Sequence, residues 1–215
     1  MRRTSKPGGG WLARLAAGAA ALLVAAASAA QEAPDAMIRR VVDEVTAVIK
    51  SDREIQGGNR HKISQLVDTK ILPYVNFLRM TQSAVGRHWS RATPEQQAAL
   101  AKEFKGLLTN TYSGAFSTYR PDTVIEYKPF RLAAGESDAV VRSLVKPGSG
   151  EPIQLDYYVE RFDGAWKVVD INVYGARLVE TYRNQFNTEI TANGIDGLIR
   201  ALAAKNKAIE AKSKT

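Results

Sequence analysis

Residues 155–186, LDYYVERFDGAWKVVDINVYGARLVETYRNQF, restrict the fold more than any other part of the chain. Asp163-Gly164 is a two-residue turn of the kind that takes positive φ and joins antiparallel strands. Before it, Leu155, Tyr157 and Val159 alternate with Asp156, Tyr158 and Glu160. After it, Trp166 and Val168 alternate with Lys167, Val169 and Ile171. Gly175 lets the chain turn a corner, and Leu178, Val179, Tyr182 and Phe186 then recur at helical spacing. A hairpin that runs straight into an amphipathic helix is half of a sheet-and-helix sandwich.

The rest of the chain supplies the other half. Ile38, Val41, Val42, Val45, Val48 and Ile49 form one apolar stripe on a helix opened by Pro34-Asp35 and ended by the Gly57-Gly58 region. A second helix over 60–72 carries Ile63, Leu66, Val67 and Ile71 and stops at Pro73. Short helices follow around Phe77, Met80, Val85 and Trp89. Thr93-Pro94-Glu95-Gln96 is a capping box with proline at the first helical position. The helix it starts shows Leu100, Phe104, Leu107, Leu108, Tyr112 and Phe116 on one face. From Asp122 the period changes to two. Residues 123–130, 139–146, 153–162 and 165–173 read as four strands whose short connections make an antiparallel meander. Beyond the Gly175 helix, Asn193-Gly194 is a break, Asp196 a cap for a last helix, and 205–215 a polar tail that frays. The expectation is an α+β fold: a twisted four-stranded antiparallel sheet packed with several helices.

The first thirty residues read as an export signal. Arg2, Arg3, Lys6 and Arg14 precede an alanine-rich apolar run, and Ser28-Ala29-Ala30 offers small residues for cleavage before Gln31. Residues 31–215 are then a single domain. The full chain carries a net charge of +8, from 30 basic and 22 acidic residues. Without the four cations of the signal, 26 basic residues face 22 acidic ones, a net +4. There is no basic patch interleaved with aromatics of the kind that binds nucleic acid.

Catalytic constellations are absent. There is no cysteine, and the two histidines, His61 and His88, have no partners at metal-ligand spacing. No cofactor is expected. No serine sits in a nucleophile elbow and no glycine run has phosphate-loop context. Asp156, Glu160, Asp163 and Asp170 cluster on the hairpin, either as a pair for acid–base work or as the solvated face of a sheet. One sheet flanked by helices is also the cone-shaped fold of small isomerases and dehydratases, so a secreted isomerase- or hydrolase-like enzyme stands as the alternative. Placement of Asp156 and Asp170 on the solvent face would remove it.

What is present instead is a set of large apolar and tyrosine side chains on converging faces. They are Leu72, Phe77, Met80, Phe104, Leu108, Tyr112, Phe116, Val141, Leu155, Tyr157, Val169, Ile171, Val173, Leu178, Tyr182 and Phe186. Periodicity alone does not separate a filled core from a lined cavity. Tyrosines suit the mouth of a lipid pocket, with an apolar ring and a polar tip. On the strands, Leu155, Tyr157, Val169, Ile171 and Val173 are expected to face inward, opposite Asp170.

The run WKVVDINVYGARLVETYRNQF, residues 166–186, resembles the signature of the MlaC family, the periplasmic phospholipid-binding proteins of the Mla lipid-asymmetry pathway, also known as toluene-tolerance proteins. VGRHWSRATPEQQ at 85–97 and FKGLLTNTY at 104–112 resemble the same family. Ala176-Arg177 departs from its pattern, which often places a serine second. The resemblance implies a monomeric, non-enzymatic carrier in the periplasm of a Gram-negative cell. It would move phospholipid between an outer-membrane lipoprotein–porin complex and an inner-membrane ABC transporter with its substrate-binding hexamer. It also implies a deep apolar cavity for acyl chains between sheet and helices. Magnitudes agree with that need. At about 0.8 kcal/mol per methylene, roughly thirty methylenes exposed to water cost on the order of 20 kcal/mol. A shallow patch does not offset that, so the chains must be enclosed. The chain carries no nucleotide-binding motif, so the energy for directed transport must come from a partner.

Overall fold

Local chemistry starts the helices where it was expected to. The computed structural model describes residues 32–212; the expected export signal and the last three residues of the tail lie outside these. Helix α1 (Pro34–Ser51) has proline in its first turn and Asp35 beside the helix N-terminus. It ends earlier than the Gly57-Gly58 break, because Asp52 caps a separate turn, α2 (Arg53–Gln56), by accepting from the Glu54 and Ile55 amides. Helix α3 (Arg60–Leu66), capped by Asn59, passes into a π-type turn at Val67–Ile71 and a 3-10 turn at Leu72–Tyr74 that holds Pro73. Helix α4 (Phe77–Val85) is capped by Asn76 and followed by a 3-10 turn at Gly86–Arg91. The Thr93–Gln96 capping box opens α5 (Pro94–Tyr112) with both reciprocal bonds in place. A short α6 (Gly114–Thr118) follows.

The sheet is an antiparallel meander of β1 (Val124–Tyr127), β2 (Asp138–Lys146), β3 (Ile153–Phe162), β4 (Ala165–Val173) and β5 (Ala176–Arg177), in chain order. Two of its turns are two-residue hairpins. Asp163-Gly164 has φ of 45° and 83°. Tyr174-Gly175 has φ of 53° and 85° and makes the fifth strand, so the corner expected at Gly175 is itself a hairpin. Helix α7 (Leu178–Lys212) leaves this hairpin and breaks at Gly194, whose φ of 71° and ψ of 179° are non-helical. The expected frayed tail is helical as far as Lys212, with Asn206 buried and donating to the Glu103 carbonyl and carboxylate, each at 2.9 Å. Asp196 accepts from Gln96 Nε2 at 2.7 Å, which ties the Gly194 break to the start of α5.

Three apolar clusters hold the layers. The helical one packs α4, α5 and α7 around Phe104, which is fully buried and touches Phe77, Tyr182 and Phe186 at ring-centroid distances of 5.6, 5.0 and 5.1 Å. The sheet cluster packs Met37, Ile38 and Val41 of α1 against Val141, Val159, Trp166 and Val168. A third gathers Ile49, Ile55, Ile63 and Leu66, with Phe116 and Tyr119 against them. Phe116 therefore does not share the Phe104 face. Ser113 lies between α5 and α6, and the single helix expected through this region divides there.

Candidate functional site

The strand register decides which residues share a face. Tyr158 pairs with Asp170 but Val159 pairs with Val168, so Val169 is an extra residue in β4. This β-bulge reverses the alternation within the strand. Trp166 and Val168 before it and Ile171 after it lie in one cluster, with Tyr157 and Ala139. The expected inward set of Val169, Ile171 and Val173 is corrected accordingly: Val169 is the bulged residue, and Trp166 and Val168 join Ile171. Period-two reading fails at a bulge because an inserted residue leaves no mark in the pattern.

Burial falls off along that face. Val141, Val159 and Val168 are sealed beneath α1 and its neighbours, whereas the cross-strand pairs Tyr157–Ile171 and Leu155–Val173 are only half-buried. Burial pushes the Tyr157 hydroxyl pKa well above the ordinary tyrosine value, although a side-chain hydrogen bond with Ser143 offsets part of the rise. Yet Tyr157 retains accessible surface. Beside it, Tyr127 is also raised, first by burial and then by the neighbouring Tyr157. The Tyr127 hydroxyl is buried with no hydrogen-bond partner among the described residues, and Arg39 stacks 4.1 Å over its ring. Tyr127 and Ser143 were not among the expected site residues. An isolated tyrosine or serine in a strand pattern carries no signal of the polar pair it makes across the sheet.

The sixteen expected site residues are thus distributed rather than gathered. Phe77, Met80, Phe104, Leu108, Tyr182 and Phe186 belong to the helical cluster. Val141, Tyr157 and Ile171 belong to the sheet cluster, and Phe116 to the third. Leu72, Tyr112, Leu155, Val169 and Val173 are half-buried, and Leu178 is buried, outside all three. Burial also raises the Tyr112 hydroxyl pKa. Tyr182 is raised by burial first and then by Tyr112.

Asp156 and Asp170, on the other face, are not solvated, contrary to the sheet-surface reading. Asp170 is 2% and Asp156 5% exposed. Asp170 Oδ1 accepts from the Ile171 amide at 2.8 Å and from the Val179 amide, at the start of α7, at 3.0 Å. Its Oδ2 accepts from Arg177 Nε at 2.8 Å. Both oxygens are committed to joining the last hairpin to α7. Asp156 accepts from the Gln154 side-chain amide at 3.1 and 3.2 Å. Of the histidines, His61 is exposed, and His88 is buried with Nε2 3.0 Å from Asn187 Oδ1. Among the described residues no group of three or more histidines and carboxylates is placed to hold a metal ion. No described helix is long and apolar enough to cross a membrane.

Comparison with known proteins decides the family. The sequence model of the MlaC protein family matches residues 39–204. The chain belongs to the MlaC family. Among curated MlaC relatives, toluene tolerance protein Ttg2D of Pseudomonas putida is 26% identical over 168 residues, covering 78% of this chain and 77% of its own. A phospholipid-binding protein of Ralstonia solanacearum, solved in complex with a phospholipid, is 47% identical. It superposes with a TM-score of 0.79 over 84% of this chain and 99% of its own. The helix-and-antiparallel-sheet architecture is thus that of an MlaC phospholipid-binding protein.

Proposed function

We propose that this MlaC-family chain is a non-catalytic phospholipid carrier that encloses acyl chains between its sheet and its helices. The observation that carries the reading is the uneven burial of the sheet face. Leu155, Tyr157, Ile171 and Val173 are apolar or amphipathic and only half-buried, less covered than Val141 and Val159 beside them. The half-buried Leu72, Leu108 and Tyr112 are the candidates for the opposite wall. Acyl chains come to cover both, which requires the helices to shift against the sheet. The helical cluster around Phe104 is close-packed and acts as the rigid body in that shift.

The family and the expected export signal support a route for the carrier. The chain is exported to the periplasm and works as a monomer. It exchanges lipid between an outer-membrane lipoprotein–porin complex and an inner-membrane ABC transporter with its substrate-binding hexamer, which maintains outer-membrane lipid asymmetry. Organic-solvent extraction of the purified protein followed by mass spectrometry tests the carrier reading. Phospholipid is expected in the extract, and delipidated protein is expected to take it up from vesicles. Failure of both removes the reading.

A further inference from the structure

Arg79, Arg87 and Arg183 line one solvent-open groove of about 650 Å³ between α4, the 3-10 turn that follows it, and α7. Among the described residues no carboxylate lines this groove; its other polar walls are the neutral side chains of Gln82, Ser83, Asn184 and Asn187. The sheet face assigned to acyl chains contributes none of these residues.

The arginines are held in place largely by neutral acceptors. Arg183 Nε donates to the Ser83 carbonyl at 3.0 Å. The Arg87 η2 nitrogen donates to Asn187 Oδ1 at 3.1 Å, the atom that also meets His88. Among the described residues neither Arg87 nor Arg183 forms an ion pair, and Arg79 alone reaches a carboxylate, Glu160 at 3.3 Å. Like charges brought together without counter-charge are a cost, and each oriented guanidinium keeps donors free in a planar fork suited to a tetrahedral oxyanion. Gly86 sits within the groove lining in a left-handed conformation (φ 62°), which a side chain adopts only with strain. A Cβ there would stand 4.0 Å from Arg183 Cγ. Glycine at this point turns the chain sharply and places Arg87 against α7.

We propose that this groove is an anion site for a phosphate group, separate from the acyl-chain site, with Arg87 and Arg183 as its principal ligands and Arg79 contributing once its Glu160 contact loosens. The phosphate belongs either to headgroups at a membrane surface or to a free phosphate ion, and the chemistry of recognition is common to both.

The test is a two-dimensional amide and arginine Nε–H NMR titration of the purified protein with inorganic phosphate, at ionic strength held constant with chloride. Saturable shifts at Gly86, Arg87 and Arg183 are expected, and they should weaken by roughly tenfold in Arg87→Gln and in Arg183→Gln, as for the loss of a charge-assisted bond. Arg131→Gln, an exposed cation outside the groove, should leave them unchanged. Co-sedimentation with vesicles of phosphatidylcholine, with and without phosphatidylglycerol, separates the sources. Retention on the anionic vesicles that Arg87→Gln abolishes assigns the site to headgroups; phosphate shifts without retention assign it to the free ion. Shifts that chloride reproduces, or that both groove variants retain in full, overturn the site. Because the wild-type titration stands alone, a variant that folds poorly does not decide the matter. Extracted lipid should be the same in wild type and variants, so failure here and failure of the carrier reading remain distinct.

Discussion

Arg177 Nε lies 2.8 Å from Asp170 Oδ2, so that a side chain 43% exposed neutralises a carboxylate 3% exposed. The same guanidinium stacks 4.0 Å over the Tyr158 ring. This pair fastens the Tyr174-Gly175 hairpin to the sheet, and the second Asp170 oxygen fastens the first turn of α7. Asp170→Asn should therefore cost about 2–3 kcal/mol, because it removes a charge-assisted bond and disturbs the acceptor of the Val179 amide. Arg177→Gln should cost less, since the two backbone amides still hold the carboxylate. Urea denaturation of both variants measures the difference.

Tyr127 offers a stability gain and a pH signature. Its buried hydroxyl has no partner among the described residues, so Tyr127→Phe should be neutral or stabilising by up to about 1 kcal/mol. The sign of the pH effect follows from the raised pKa in the fold. Below about pH 10 the hydroxyl is protonated in folded and unfolded chains alike, and its contribution is constant. Above that value the unfolded chain loses its proton first, and stability falls until the folded pKa is passed. Tyr127→Phe should flatten the alkaline limb of a melting-temperature profile without altering the neutral region.

Gly106 inverts the usual helix rule. Alanine in an exposed helix interior generally gains about 1 kcal/mol over glycine. Here a Cβ would lie 2.9 Å from Asn206 Nδ2, which is itself bonded to Glu103. Gly106→Ala should destabilise by about 1 kcal/mol, and the double variant with Asn206→Ala should recover part of the loss. A double-mutant cycle by thermal denaturation reads the coupling.

Two apolar substitutions separate core from cavity. Phe104→Ala empties the centre of the aromatic cluster and should cost about 3–5 kcal/mol whether or not lipid is bound. Leu155→Asp places a charge on the half-buried sheet face and should reduce extracted phospholipid more than it lowers the melting temperature. Equal losses in loading and stability at Leu155 would mean a filled core there.

Tyr174 occupies the left-handed region at φ 53° and is 67% exposed, a position where tyrosine is disfavoured and asparagine is not. Tyr174→Asn should stabilise the isolated protein by a few tenths of a kcal/mol to about 1 kcal/mol, measured by urea denaturation.

Much was determined by residues close in the chain. The Thr93–Gln96 box, the Asp163-Gly164 turn, the four longer strands and the Gly194 break follow from caps, turns and periods that act over a few positions. The MlaC resemblance rested on the same contiguous runs. The tertiary structure decided what those signals do not contain. The bulge at Val169 moved Trp166 and Val168 onto the face of Ile171, because register depends on pairing with β3. Asp170 is buried because α7 returns over it, a fact absent from a strand pattern that shows only a charge at an alternate position. Of the sixteen residues that converge by periodicity, ten were divided among separate clusters and six fell outside them, because helical and sheet periods state which side is apolar and not what covers it. Arg87 and Asn187 meet although they lie 100 positions apart. Contacts at that separation are set by packing of whole layers, and the arginine groove exists only once α4 and α7 are docked.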